Sequence, residues 1–181
     1  MKAAVFLTEG FEETEAITTI DILRRGEVEV ETVSLSGKKS ATGAHGIPVE
    51  ADTVFSGDVS SYGILVLPGG GGYVHYLENK DFTEALTSHF KAGKPVAAIC
   101  AAPTVLGALG LLGGKTAVCY PGMEDDLGDA KRGDSAVAVD GELITSRGPA
   151  TAVKFGLAIV EKLKGKEAAD KVADAFLAKL A

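Results

Sequence analysis

Cysteine, tryptophan and other aromatic residues are scarce in this chain. Its 181 residues include two cysteines and no tryptophan, and aromatic side chains make up only 6%. Two cysteines are too few for a disulfide framework or a structural zinc site. We therefore expect a protein of a reducing compartment, located in the cytoplasm, whose core is filled mainly by aliphatic side chains.

Long hydrophobic runs and blocks of positive charge are also missing. No stretch approaches the roughly 20 apolar residues that a membrane span requires, and the start MKAAVFLTEGFEE does not fit a secretory signal peptide. The formal charge is -7 at pH 7, which argues against nucleic acid or anionic lipid as the main partner. We expect no nucleic acid and no membrane among the partners.

Glycine, in contrast, is abundant, with 23 residues against a usual share of roughly 7%. Between the glycine-rich turns, short apolar runs alternate with amphipathic segments. The predicted strands are residues 3–7, 28–35, 63–67, 95–100 and 116–120, short pieces around 47–55, and two that flank the turn pair Asp140-Gly141. The predicted helices are residues 12–26, 81–93, 103–112, 151–165 and 166–181, with Asp81 as the N-cap of the second.

Strands that alternate with helices predict an α/β fold in which a mostly parallel sheet has helices on both faces. A single domain over residues 1–181 is long enough to hold it. In such sheets, sites form where the carboxyl ends of strands meet the amino ends of helices. Residues 8–15, 68–72 and 100–103 form loops of this kind.

Cys100 lies in the third loop, within the stretch AAICAAPTVL. A thiol between an apolar strand and a helix start is near the positive end of the helix dipole, which lowers its pKa and favours the thiolate. The small neighbours Ala101 and Ala102 permit a tight turn whose amides could stabilise an oxyanion. The alternative is an inert, buried cysteine, and the pattern alone leaves both interpretations open.

The other two loops offer possible partners for that thiol. The stretch LPGGGG lacks the lysine and hydroxyl residue of a Walker motif and the spacing of a dinucleotide fingerprint, so it is either a tight turn or a source of amide donors. In EGFEETE, the residues Glu9, Glu12 and Glu13 fit a solvated first turn of a helix. Glu15 falls where the apolar face begins, and a half-buried carboxyl there would have a raised pKa and could share a proton with a thiolate.

The remaining candidates are scattered along the chain. The histidines His45, His75 and His89 show no metal-ligand spacing, so we predict no metal site. His89 lies on a predicted amphipathic helix and is interpreted as structural, whereas His75 follows the glycine loop and could reach Cys100. Cys119 lies in a predicted strand, where packing is favoured over a role as redox partner.

Four segments of the chain carry a resemblance to a known family, in this order: GFEETEAITTIDILRR, LPGG, AAICAAPTVL and ITSRGPATAVKFGLAIVEKLKGKEAA. Through them the chain resembles the Parkinsonism-associated deglycase (DJ-one-like) branch of the ThiJ/PfpI superfamily. The resemblance implies a flavodoxin-like sandwich, usually a homodimer, with a cysteine nucleophile elbow. Cys100 matches that cysteine, and Glu15 matches the glutamate that hydrogen-bonds it. Gly70 and Ala101 match the positions whose amides face the substrate oxygen, and we extend this role to Gly71.

This chain differs from members of the ThiJ/PfpI superfamily at several positions. The protease-like members have a histidine directly after the cysteine, where this chain has Ala101, which argues against a peptidase. Close relatives often have a histidine where this chain has Tyr120, and a phenol is a poor proton shuttle at pH 7. Many have an arginine where this chain has His45. Arg25 matches an arginine near the dimer contact, and Cys119 matches a position beside the pocket.

The resemblance implies two functions that use the same thiol. The first is a cysteine-dependent glyoxalase or deglycase, a hydrolase or lyase that acts on methylglyoxal-like dicarbonyls or glycation adducts without a metal or organic cofactor. The second is a redox sensor that protects against oxidative stress through oxidation of Cys100, with little or no catalysis. A third interpretation, that Cys100 is inert, remains open at this point.

Overall fold

A seven-stranded sheet lies at the centre of the computed structural model, which describes residues 1–178. The described residues form the strands β1 (Lys2–Leu7), β2 (Glu29–Ser34), β3 (Ser40–Thr42), β4 (Pro48–Glu50), β5 (Thr53–Val54), β6 (Ile64–Leu67), β7 (Val96–Ile99), β8 (Thr116–Ala117), β9 (Lys131–Arg132), β10 (Val137–Asp140) and β11 (Leu143–Ser146). Strands β3 and β4 pair with each other outside the central sheet, as do β8 and β9. The sheet has the order β5-β2-β1-β6-β7-β11-β10. Its neighbours pair in parallel except β10 and β11, which are antiparallel as predicted around Asp140-Gly141.

Helices cover both faces of this sheet, which confirms the predicted α/β sandwich. They are α1 (Glu13–Arg25), α2 (Val74–Glu78), α3 (Lys80–Lys91), α4 (Pro103–Ala108), α5 (Ala152–Lys164) and α6 (Lys166–Ala175), and three 3-10 turns lie at Gly71–Tyr73, Glu124–Leu127 and Pro149–Thr151. Alternate residues of β1 point to opposite faces. Phe6 joins the core cluster that contains Leu86 and Val105, and Val5 joins the cluster that contains Leu23 and Phe155. Because both faces are covered, the central strands are continuous apolar runs.

Several predicted details are wrong. Asn79, not Asp81, caps α3, because its side chain accepts a hydrogen bond from the amide of Phe82 at 3.0 Å. The predicted strand 116–120 ends at Ala117, so Cys119 lies after a strand and not within one. Ile17 is one of the apolar residues at helical spacing in α1, yet 43% of its surface is exposed.

Two predicted helices are shorter than expected. The helix predicted over 103–112 ends at Ala108. The helix predicted over 166–181 ends at Ala175, and residues 179–181 lie outside the described part of the chain. Among residues 1–178, no helix combines the length and apolar character needed to cross a bilayer.

Candidate functional site

The loops after β1, β6 and β7 meet at one edge of the sheet, because these strands are parallel and adjacent. The chain leaves β1 towards β2 on one side, whereas β6 and β7 lie on the other side of β1. The connections that leave β1 and β6 therefore run in opposite directions, and a crevice forms between the carboxyl ends of these two strands. Of the loops predicted to carry chemistry, one leads into the helix with Glu15, one contains the glycines, and one contains Cys100. The fold brings these three segments together.

Cys100 lies at a tight turn between β7 and α4. Its φ angle is +66°, a left-handed conformation that is rare and strained for a residue with a side chain. The turn is held by main-chain hydrogen bonds: the Cys100 amide donates to the carbonyl of Ser146 at 3.0 Å, and the Cys100 carbonyl accepts from the amide of Tyr120 at 2.8 Å. These bonds from two neighbouring segments maintain the strained residue, and only 8% of its surface is exposed.

Gly69 packs directly against this turn. A Cβ atom at this position would lie 2.6 Å from the Cβ of Cys100, 2.9 Å from the carbonyl oxygen of Ile99 and 3.0 Å from an oxygen of Glu15. Two of these neighbours are backbone or the first side-chain atom, so they cannot move aside easily. Only glycine fits here, and its amide reaches the carboxylate of Glu15 at 2.7 Å.

Glu15 is enclosed completely, with none of its surface exposed. One carboxylate oxygen accepts the Gly69 hydrogen bond, while the other, Oε1, is buried and has no hydrogen-bond partner among residues 1–178. Burial disfavours the charged form and raises the pKa of Glu15 to about 7, against hydrogen bonds from Gly69 and Cys100 that lower it. The predicted raised pKa of a carboxyl in this turn is therefore confirmed.

The thiol of Cys100 does not have the lowered pKa that the sequence argument predicted. Burial, followed by the nearby charge of Glu15, raises the pKa of Cys100 to about 12, although amides of Gly70 and Ala101 act in the opposite direction. The helix that follows Cys100 has only six residues, so the effect of its dipole is weaker than that of the loss of solvent around the buried thiol. Because the pKa of Glu15 is raised less than that of Cys100, the pair loses one proton before the other and holds a single proton between the two values.

The amides around the sulfur come from two loops. Gly70 and Ala101 both lie where their N–H groups stabilise a thiolate of Cys100. Gly70 has a φ of +87°, and a Cβ there would lie 2.5 Å from the amide of Glu12 and from the carbonyl of Gly10. Gly71, in contrast, is exposed, with no atom of another segment within 4 Å of where its Cβ would be. The structure thus places Gly69 and the amide of Gly70 against the thiol, and the role assigned to the Gly71 amide stays a prediction.

Tyr120 and Cys119 lie beside the turn of Cys100. The Tyr120 amide holds the Cys100 carbonyl, and 48% of the Tyr120 surface is exposed. Cys119 is buried, its Sγ lies 3.5 Å from the carbonyl oxygen of Tyr120, and burial together with the charge of Glu124 raises its pKa to about 11. Both cysteines are free thiols.

His75 and Arg25 have partners outside this turn. The Nδ1 of His75 lies 2.6 Å from a carboxylate oxygen of Glu78, and both side chains line a cleft with Thr8 and Glu9. Within the described residues, no hydrogen bond or ion pair joins His75 to Cys100. Arg25 forms an ion pair with Asp21 at 2.7 Å and lies over the ring of Phe176.

His45 meets the first turn of α1. Its backbone amide donates to Oε1 of Glu13 at 2.7 Å, and its Nδ1 lies 2.9 Å from Oε2 of Glu13 and 3.6 Å from Glu12. The ligand atoms of these three residues lie within 4.8 Å of one another, so they could hold a metal ion. The sequence argument, which compared only the spacing of histidines, missed this group because 32 residues separate His45 from Glu13.

Gly69 is the residue of the thiol site that sequence reasoning missed. The stretch LPGG showed two glycines after a buried strand, but only the second was assigned to the site. Conformational freedom does not explain why position 69 is a glycine, since the φ angle of Gly69 is not in the left-handed region. Its requirement is the close approach to Cys100, which depends on how β6 and β7 lie beside each other.

Comparison with known proteins agrees with this geometry. The model of the DJ-1/PfpI family matches residues 1–162. Protein dj-1beta of Drosophila melanogaster is 39% identical over 179 residues, which cover 97% of this chain and 96% of that protein. The glutathione-independent glyoxalase DJR-1.2 of Caenorhabditis elegans is 37% identical over 174 residues, covering 92% of this chain and 91% of the relative.

Longer relatives and solved structures agree as well. Protein DJ-1 homolog B of Arabidopsis thaliana is 38% identical over 164 residues, and the match spans 37% of the length of that protein. The solved structure of oxidised Toxoplasma gondii DJ-1 superposes with a TM-score of 0.93 at 36% identity, covering 97% of both chains. The sheet order, the cysteine turn and these matches lead to one conclusion: the chain belongs to the DJ-1/PfpI family.

Proposed function

We propose that this protein is a cofactor-independent glyoxalase that acts on small dicarbonyls such as methylglyoxal through Cys100 and Glu15. The observation that carries the proposal is that the buried Cys100 and Glu15 both lie against Gly69, within 3.0 Å of where its Cβ would be, so a thiol and a carboxyl of raised pKa are close enough to exchange a proton. A family relative is named a glutathione-independent glyoxalase, which supports the same chemistry without a thiol cosubstrate.

Glu15 generates the nucleophile. A thiol with a pKa of about 12 is almost entirely protonated at pH 7, but transfer of its proton to the adjacent Glu15 carboxylate forms a thiolate without releasing a proton to solvent. The sulfur attacks the aldehyde carbon, a C–S bond forms, and the aldehyde oxygen becomes the oxyanion of a hemithioacetal. The amides of Gly70 and Ala101 stabilise this oxyanion before it is protonated.

Glu15 then moves a proton between adjacent carbons. Protonated Glu15 first gives the thiol proton to the oxyanion and becomes a carboxylate again. The carboxylate then removes the proton from the carbon that bears sulfur, giving an enediolate. The hydroxyl proton on that carbon passes to the former ketone oxygen, a C=O bond forms at the carbon that bears sulfur, and Glu15 returns its proton to the neighbouring carbon. The product is a thioester of lactate on Cys100, and water cleaves the C–S bond to release lactate and the thiol. One methylglyoxal and one water thus give one lactate with no net oxidation. Oε1 of Glu15, which accepts no hydrogen bond from the described residues, is available to carry the proton between the two carbons.

Lactate formation from methylglyoxal by the purified protein tests this proposal. We expect activity in the wild type and in Cys119→Ala, and none in Cys100→Ala, because Cys100 lies beside the buried carboxyl of Glu15. Equal consumption of methylglyoxal by the wild type and Cys100→Ala would refute it. Glycated amines offered in the same assay decide whether the enzyme also acts as a deglycase.

A second candidate function is redox sensing at the same thiol. The amides of Gly70 and Ala101 and the carboxyl of Glu15 surround the sulfur, and they would also hydrogen-bond a sulfinate, with Glu15 protonated. Mild peroxide followed by mass spectrometry distinguishes this function. The sensor requires selective addition of two oxygens at Cys100, and preferential oxidation of the buried Cys119 would argue against it.

We also propose that the protein is a homodimer. Ile17 on α1 and Ile47 beside β4 are large apolar side chains with 43% and 55% of their surface exposed, and Ile17 lines a groove with Val49. A second copy would cover these side chains. Light scattering should give twice the monomer mass for the wild type and the monomer mass for Ile17→Asp, and a monomeric wild type would exclude the dimer.

A further inference from the structure

The side chain of Tyr76 connects two strands beneath the glycine loop. It lies in α2, none of its surface is exposed, and its ring packs 5.4 Å from that of Phe82 in the core. The phenol hydroxyl lies 3.2 Å from the carbonyl oxygen of Phe6 and 3.1 Å from that of Pro68. Phe6 belongs to β1, and Pro68 directly follows β6. A single buried hydroxyl therefore bridges the carboxyl ends of the two strands that border the crevice.

A proline makes this bridge necessary. The carbonyl of Leu7 accepts a bond from Leu35, which continues β2, so the carbonyl of Phe6 faces the opposite neighbour, β6. With Val5 opposite Val66, the next ladder bond would run from the amide of residue 68 to Phe6. Pro68 has no N–H to donate, and a buried carbonyl without a donor is unfavourable. The hydroxyl of Tyr76 supplies the missing donor, and its one proton is shared between the carbonyl oxygens of Phe6 and Pro68.

The same bridge fixes where the glycine loop begins. Gly69 follows Pro68, its amide donates to Glu15 at 2.7 Å, and a Cβ on it would touch Cys100. The next amide, that of Gly70, faces the sulfur. A shift of Pro68 would change both contacts, since Gly69 and Gly70 follow it directly in the chain. The anchor of Pro68 and the placement of these amides are thus linked.

We propose that Tyr76 is a positioning residue, whose hydroxyl holds Pro68 so that the amides of Gly69 and Gly70 meet Glu15 and Cys100. This role deepens the proposed function of the thiol site. It differs from a packing role, because it belongs to the hydroxyl and not to the ring. Phenylalanine retains the ring and removes only the donor, so Tyr76→Phe isolates the inference.

The test is the pH dependence of Cys100 alkylation by iodoacetamide in Tyr76→Phe. The Gly69 amide lowers the pKa of Glu15 and the Gly70 amide lowers that of Cys100. Loosening the loop should therefore move the midpoint of the curve of alkylation rate against pH to higher pH. We expect a shift of about one unit, which is about a tenfold slower reaction below the midpoint. The matched control is Tyr62→Phe, which removes another buried tyrosine hydroxyl, one that donates to Glu31; its midpoint should equal that of the wild type.

An unchanged midpoint in Tyr76→Phe, or an equal shift in Tyr62→Phe, would overturn the inference. If Tyr76→Phe does not fold, hydrogen exchange of the wild type decides. An anchored loop requires the Gly69 amide to exchange about as slowly as that of Val66 in β6, and exchange about a hundredfold faster would overturn the inference. Neither measurement uses methylglyoxal, so the inference can fail or hold independently of glyoxalase activity.

Discussion

Glu13 and Glu15 lie two residues apart in the first turn of α1, both are buried, and their carboxyl groups behave in opposite ways. Glu13 receives hydrogen bonds from the His45 ring and from the amides of His45 and Ile47. Burial alone would raise its pKa, but these bonds lower the pKa of Glu13 to about 2. Glu15 accepts one amide bond, from Gly69, and burial raises its pKa to about 7.

The comparison shows that the depth of burial and the number of hydrogen-bond donors together decide the protonation of a carboxylate. Glu13 is saturated with donors, so it stays charged and anchors the loop that contains His45. Glu15 has one oxygen with no hydrogen-bond partner, so it accepts a proton near neutral pH. One carboxyl is structural and the other is suited to proton transfer.

The largest effect is expected when Glu15 loses its ability to take a proton. Glu15→Gln retains the size of the side chain but cannot act as a base, so kcat for lactate formation from methylglyoxal should fall by about 100-fold or more. Glu13→Gln, which alters the other member of the pair, should lower kcat by less than about threefold. Equal losses in the two variants would show that the carboxyls are not functionally distinct.

The second effect is on stability as pH changes. The folded pKa of Glu15, about 7, lies above its ordinary value of 4.5, so its contribution to stability is present below pH 4.5 and is lost as pH rises through 7. The difference in unfolding free energy between the wild type and Glu15→Gln should therefore decrease by about 3 kcal/mol over this range. Urea unfolding at several pH values measures it, and a constant difference would contradict the raised pKa.

Measuring a difference between variants removes an opposing contribution from His89. Burial lowers the pKa of His89 to about 4 from its ordinary 6.5. Its contribution to stability is therefore present above pH 6.5 and is lost as pH falls towards 4. Because the wild type and Glu15→Gln share His89, its effect cancels, and the remaining slope belongs to Glu15.

A third effect distinguishes the glycines beside Glu15. Gly69→Ala would place a Cβ 2.6 Å from that of Cys100, and we expect a loss of about 2 kcal/mol in unfolding free energy together with slower alkylation of Cys100. Gly71→Ala is the matched control, since no atom of another segment lies within 4 Å of its position. Urea unfolding of both variants provides the test, and equal stability would contradict the close approach.

The smallest effect is expected at Glu13. Glu13→Gln weakens the bonds from the loop around His45 and should cost about 1 kcal/mol at pH 7. Since the folded pKa of Glu13 lies below 4.5, its contribution is present above that pH and is lost as pH falls towards 2. Thermal unfolding at pH 7 and pH 3 measures both, with the exposed Glu84→Gln as control. A loss that grows in acid would contradict the lowered pKa.

Much of the fold follows from local patterns. The central strands are apolar runs that end in glycine or polar turns, and the helices have apolar residues at helical spacing, so their order along the chain predicts the parallel sheet. Local patterns fail where two residues offer the same chemistry. Asn79 and Asp81 are both good N-caps, and only the path of the chain into α3 selects Asn79.

The site could be predicted less completely. Cys100 and Glu15 were found because strand–helix junctions converge at one edge of the sheet. The role of Gly69, the pairing of His45 with Glu13 and the raised pKa of Cys100 all depend on contacts between segments distant in sequence. For Cys100, the helix dipole was visible in the sequence, but the stronger effect of desolvation was not.

The central claim is that Cys100 and Glu15 share one proton. Its most direct test is the rate of Cys100 alkylation between pH 5 and pH 9 in the wild type and in Glu15→Gln, with each protein also carrying Cys119→Ala. The wild-type rate should rise through a midpoint at about 7, where Glu15 becomes a base, and this step should be absent in Glu15→Gln. The same midpoint in both proteins would contradict the shared proton.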